Sequence, residues 1–91
     1  MDINDIVRAG PVVPVLQFDS VEQGEQVSRA LLAGGVRVLE ITLRTPAAMD
    51  VIRHVAGLSD ELIVGVGTLT RPEEMAQAVA AGARFGVIGV E

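Results

Sequence analysis

Val36-Arg37-Val38-Leu39-Glu40-Ile41-Thr42-Leu43-Arg44-Thr45 is the stretch on which the fold turns. It is rich in branched apolar residues and bounded by Gly34-Gly35 before it and Pro46 after it. Such a run reads as a strand, here over 36–43. Side chains alternate faces along a strand. Leu39, Ile41 and Leu43 then make one apolar face, and Val38, Glu40, Thr42 and Arg44 make the other. A carboxylate, a hydroxyl and a guanidinium climbing one face toward the C-terminal end is the pattern of a barrel's active mouth. A doubly wound sheet would bury that face under a helix, where an unpaired Glu is costly.

The flanking segments alternate in period. Upstream, Pro11 to Gln17 is a short apolar run whose prolines cannot donate to a ladder, which suggests an edge or barrel strand. Ser20, with Gln23 three residues on, reads as the capping box of a first helix. Its stripe is expected from Val21, Val27, Ala30 and Leu31, and Gly34-Gly35 stops it. Downstream, Thr45-Pro46 opens a second helix with Pro at its first position. Met49, Ile52, Val55 and Ala56 are its inward candidates. Leu62 to Gly67 is a third strand. Thr70 and Glu73 read as a capping box on a third helix, with Met75, Ala76, Val79 and Ala80 facing inward. Phe85 to Val90 is a fourth strand, and residues 2–9 suggest a short leading helix.

Alternation with short connections implies a parallel sheet. The expected fold is therefore α/β: half of a TIM-type (β/α)₈ barrel, with four parallel strands, three crossover helices and a short N-terminal helix. Ala33-Gly34 and Ala81-Gly82 end helices two units apart, a weak internal repeat. No linker or low-complexity tract divides the chain, so residues 1–91 are expected to form one (β/α)₄ unit.

Composition narrows the function. The net charge is −5, and all seven cations are arginines: Arg8, Arg29, Arg37, Arg44, Arg53, Arg71 and Arg84. They form no cluster, which argues against a nucleic-acid partner. There is no cysteine and one histidine, so a thiolate or classical zinc site is not expected. The N-terminus lacks a signal-peptide pattern, and no apolar run nears the ~18 residues that span a bilayer. The default expectation is a cytoplasmic protein without a membrane partner.

Glu40 is a candidate general acid/base; its bland alternative is a structural carboxylate paired with a neighbouring Arg. Arg44 offers a planar fork for a carboxylate or phosphate; its alternative is an ion pair with Glu40 or a surface charge. Thr68 ends Gly65-Val66-Gly67, where glycines let a ligand approach the backbone. As a phosphate loop Gly-x-Gly is weak, because Thr70 holds the place of the fingerprint's third glycine. His54 lies off the apolar stripe and reads as solvent-exposed. The serines have no histidine partner in sight.

Three runs carry a family resemblance: Gly10-Pro11-Val12-Val13-Pro14-Val15, Leu32 through Thr45, and Val64-Gly65-Val66-Gly67-Thr68. Together they resemble the N-terminal half of the 2-keto-3-deoxy-6-phosphogluconate aldolase / 4-hydroxy-2-oxoglutarate aldolase family. The resemblance implies a class I aldolase on a (β/α)₈ barrel, commonly trimeric. Such an enzyme cleaves a 2-keto-3-deoxy sugar acid 6-phosphate to pyruvate and glyceraldehyde 3-phosphate through a lysine Schiff base, with no cofactor. By motif, Glu40 matches the catalytic general acid/base, Arg44 an arginine holding the pyruvate-type carboxylate, and Thr68 a threonine lining that site. A 2-keto acid or phosphate-type anion is the implied ligand.

Two departures qualify this. Ile88-Gly89-Val90-Glu91 stands where the family has a Ser-Pro-Gly turn. The Schiff-base lysine and the phosphate-binding glycines belong to the family's second half, and this sequence has no lysine anywhere. The chain alone is expected to be inactive as an aldolase. Its first and fourth strands would leave open edges, so a homodimer or other homo-oligomer closing a barrel is expected.

Overall fold

The computed structural model describes residues 13–88. The elements are β1 (Val15–Leu16), α1 (Val21–Ala33), β2 (Val38–Thr42), α2 (Ala48–Ala56), β3 (Ile63–Leu69), α3 (Pro72–Ala81) and β4 (Phe85–Ile88). The leading helix expected over 2–9 and the strand residues beyond Ile88 lie outside the described residues. All three strand pairings are parallel, and the spatial order is β1-β2-β3-β4. Sequential order decides between the two architectures. A doubly wound sheet reverses its strand order; this one does not.

The helices form one layer, α1 packing on α2 and α2 on α3. Beneath them lies the apolar face that alternation assigned to β2. Leu39 and Ile41 are fully buried, as are Val64 and Val66 of β3 and Val51, Ile52 and Val55 of α2. The opposite face of the sheet carries Val15, Glu40, Gly65, Gly67 and Phe85, by strand register.

β1 is shorter than its apolar run suggests. Pro14 has no N–H to give, and its carbonyl accepts from Glu40 N at 3.0 Å. That places Pro14 beside the end strand of the sheet, where a missing donor does no harm; Pro11 and Val12 lie outside the described residues.

Three helix details differ from expectation. In α1, Val21, Val27 and Leu31 of the expected stripe pack against the core, half-buried, but the fully buried positions are Gly24 and Ser28, and Ala30 is exposed. A Cβ on Gly24 would lie 2.5 Å from Val51 Cγ1, so α1 and α2 meet across a glycine. In α3 the buried residues are Ala78 and Ala81, whereas Val79 is 54% exposed and Ala76 is also exposed. Small residues take the most buried positions of these helices, with Val21, Val27, Leu31 and Met75 packing around them.

The caps show the third difference. Ser20 Oγ accepts from Gln23 N at 3.1 Å as expected, but Gln23 Oε1 returns to Asp19 N at 2.9 Å. α3 begins one residue later than read: Arg71 is the N-cap. Glu74, not Glu73, folds back to accept from Thr70 N, Thr70 Oγ1 and Arg71 N, each at 3.0 Å. Those bonds, led by the Thr70 N–H, hold the Glu74 carboxyl below its ordinary pKa. Likewise α2 starts at Ala48, with Thr45-Pro46 in the preceding turn. Thr45 Oγ1 donates to the Phe18 carbonyl at 2.6 Å, tying the loop after β2 to the loop after β1.

Candidate active site

The C-terminal ends of the strands form the candidate site. Glu40 and Thr42 of β2, Arg44 just beyond it and Thr68 of β3 share one cavity of about 340 Å³ with residues at the ends of β1 and β4. All three residues singled out from the sequence are thus brought together. They come from the ends of two adjacent strands, β2 and β3, the place where barrel mouths are built. A second cavity, of about 460 Å³, lies around Leu69, Met75 and Gly86 at the start of α3. It is largely apolar and shares none of these three residues.

Glu40 is half-buried on the inner face of β2. Its position depends on an absence in the adjacent strand. A Cβ on Gly67 would lie 2.2 Å from Glu40 Oε2, so the carboxylate leans across a strand position that has no side chain. Gly65 plays the same part on the other side: a Cβ there would fall 2.1 Å from the ring of Phe85. The glycines of Gly65-Val66-Gly67 therefore make room for two neighbouring side chains. The sequence reading had assigned that room to a ligand. The available signal was their period of two, which puts both on the same face as Glu40.

Among the described residues, Glu40 and Arg44 form no ion pair. Arg44 Nε instead reaches Thr68 Oγ1 at a long 3.4 Å. Thr68 could not make that contact on a regular strand, because alternation would aim it with Val64 and Val66 into the helix layer. The backbone breaks the pattern: Thr68 has φ +63°, the left-handed region that β-branched residues avoid. The β3–β4 pairing slips in register between Val66 and Leu69 at the same place. Such an irregularity re-aims a side chain. Here it turns the hydroxyl to the inner face, while Leu69 packs into the core. A strained conformation at a β-branched residue costs of order 1–3 kcal/mol and persists only where the surroundings enforce it.

His54 lies elsewhere, on the outer helices. Its Nε2 is in hydrogen-bond contact with Glu25 of α1, which also pairs with Arg29 at 3.3 Å. These two partners, His54 first, hold the Glu25 carboxyl below its usual pKa. The histidine thus links two helices and stands apart from the mouth. Among the described residues there is no cluster of three or more His, Cys, Asp or Glu able to hold a metal, and no helix is long and apolar enough to cross a membrane.

A half barrel whose strand ends gather a carboxylate, a guanidinium and a hydroxyl has the layout of a (β/α)-barrel mouth. The chain belongs to the KDPG and KHG aldolase family, whose model matches residues 3–89. It is 49% identical over 82 residues to the 2-dehydro-3-deoxy-phosphogluconate aldolase of Dickeya dadantii, covering 90% of this chain and 38% of that protein. To the KHG/KDPG aldolase of Escherichia coli K12 it is 48% identical, with the same coverage. Among solved structures, the 2-keto-3-deoxy-6-phosphogluconate aldolase of Zymomonas mobilis superposes with a TM-score of 0.81 at 37% identity, over 100% of this chain and 44% of that one. The Legionella pneumophila KDPG aldolase, with pyruvate captured as a covalent carbinolamine, gives 0.83 at 37% identity, over 91% and 40%. The chain thus spans about two fifths of the length of the relatives it matches.

Proposed function

We propose that this chain supplies the acid/base and carboxylate-binding side of an aldolase site acting on 2-keto-3-deoxy-6-phosphogluconate. Glu40 moves protons at the reacting carbons. Arg44 holds the carboxylate of a pyruvate-type group, and Thr68 donates a hydrogen bond to it. The observation that carries the reading is the convergence of these three residues on one cavity at the strands' C-terminal ends. The names of the relatives supply the substrate class. The covalent step needs a primary amine on a side chain, and these 91 residues contain no lysine. These 91 residues by themselves do not supply that part of the chemistry.

The reading is tested by titrating the chain with pyruvate and following the backbone amide signals by NMR. Saturable shifts at Arg44 and Thr68 are expected, with a Kd on the order of millimolar, since a ligand of six heavy atoms gains little free energy. Arg44→Gln is expected to weaken binding at least ~10-fold, by removing a charge-assisted pair. Binding unchanged in that variant would overturn the assignment of Arg44.

Association is the second part of the proposal. Among the described residues, Val13, Val15, Ile63, Val87 and Ile88 are exposed on and beside the sheet, with Val15 61% and Ile88 77% accessible. A patch of this kind favours association. A second copy fits because all strands are parallel: a two-fold axis along them keeps their direction and sets β4 of each copy beside β1 of the other. Sedimentation at micromolar concentration is expected to give twice the 9.5 kDa chain mass. A monomer under those conditions would refute it.

A further inference from the structure

Thr42 is a hydroxyl for which the site as described has no use. It lies on the inner face of β2, two residues beyond Glu40 and two before Arg44, and lines the same cavity. Only 7% of it is accessible, and its Oγ1 has no hydrogen-bond partner among the described residues. A buried hydroxyl without a partner is uncommon, because it forfeits its bonds to water and gains none in return. Ser28 Oγ is also unpartnered, but it sits in the α1 contact and lines neither cavity. Thr42 differs in facing a space that a ligand could enter.

Its surroundings say which atom it would meet. Thr42 stands beside Gly67 in the strand register, the position across which the Glu40 carboxylate leans. Thr42 therefore lies one step deeper than Arg44, next to the acid/base group. A 2-keto acid with its carboxylate at the rim, against Arg44 and Thr68, places its keto oxygen inward.

We propose that Thr42 is a specificity residue of this mouth, its Oγ1–H donating to the 2-keto oxygen of the ligand. This rests on reading the mouth as a 2-keto acid site, and it adds a discrimination that the reading does not contain. A hydroxyl aimed at the keto oxygen favours pyruvate over propionate, which has the carboxylate and lacks the keto group. A site built to bond one oxygen rejects the analogue without it, because the buried donor is then left unsatisfied.

The test uses the 91-residue chain, Thr42→Val and Thr42→Ser, each titrated with pyruvate and with propionate and each melted without ligand. Wild type is expected to bind pyruvate about 10-fold more tightly than propionate. Thr42→Val is expected to lose that preference, weakening for pyruvate alone, while Thr42→Ser retains it. Thr42→Val should also melt at a higher temperature, since valine removes an unpartnered buried hydroxyl at nearly constant shape. A structural hydroxyl predicts the reverse: a lower melting temperature and equal loss for both acids. That result, unfolding of Thr42→Val, or an unchanged preference overturns the proposal while leaving Arg44 and Thr68 as assigned. Wild type that binds neither acid overturns the reading of the mouth, and the role of Thr42 with it.

Discussion

Incubated with pyruvate and sodium borohydride, the 91-residue chain is expected to gain no covalent mass at any side chain. Borohydride traps an imine, and an imine needs a primary amine placed against the keto carbon. The seven cationic side chains of this sequence are all arginines. A guanidinium is a poor nucleophile because it stays protonated at any pH the fold tolerates. Self-association does not change the outcome: a second copy can close the sheet, but it brings no lysine either. The α-amino group at Met1 is the one primary amine present. Intact-mass analysis, with the Escherichia coli relative as a parallel sample, decides the matter. A pyruvate adduct that maps to any residue other than Met1 would sink the reading that these residues do not supply the covalent step.

Gly24→Leu is expected to cost more than ~3 kcal/mol of folding stability, while Ala30→Leu in the same helix stays within about 0.5 kcal/mol of wild type. Helix propensity alone predicts a gain for the first change, about 1 kcal/mol for replacing a helical glycine. Packing outweighs it. Even the Cβ would lie 2.5 Å from Val51 Cγ1. Val51 is β-branched and fully buried, so it has no free rotamer into which to retreat. The remaining atoms of a leucine would force α1 away from α2. A domain of this size has about 5–10 kcal/mol in total to lose. Urea denaturation of the two variants gives the comparison. Equal midpoints would show that α1 does not cross α2 at Gly24.

The two variants also mark a boundary of what the sequence made legible. Apolar periodicity placed Ala30 on the inward stripe of α1, because periodicity counts hydrophobic side chains and gives a glycine no weight. The packed structure ranks positions by distance to the neighbouring helix. Where α1 meets α2, Gly24 fits because it brings no side chain, so a position with no hydrophobic side chain becomes the contact. α3 repeats the lesson: Ala78 and Ala81 are buried while Val79 is exposed. The cap of α3 was misread for a related reason. Thr70 is a better N-cap residue than Arg71 by side-chain type, yet the Glu74 carboxylate folds back onto the Thr70 and Arg71 N–H groups while its own N–H donates to the Arg71 carbonyl, so the helix starts one residue later.

By itself, then, the sequence determined the alternation of strands and helices, the parallel sheet and the face on which Glu40, Thr42 and Arg44 stand. Each follows from a local rule of period two or period 3.6, and local rules can be read along a line. The Gly65-Val66-Gly67 run and the family likeness both pointed to Thr68, but the path of the backbone that makes it useful was not in the pattern. On a regular strand that hydroxyl would point among Val64 and Val66. Only the slipped pairing between β3 and β4, and a left-handed turn that threonine would not choose alone, bring it to Arg44. A strained conformation is sustained by contacts distant in sequence, and those exist only once the sheet is assembled. The same holds for the seat of Glu40, which depends on an empty position in the adjacent strand. The residues of the site were visible in the chain; their convergence was decided by the tertiary structure.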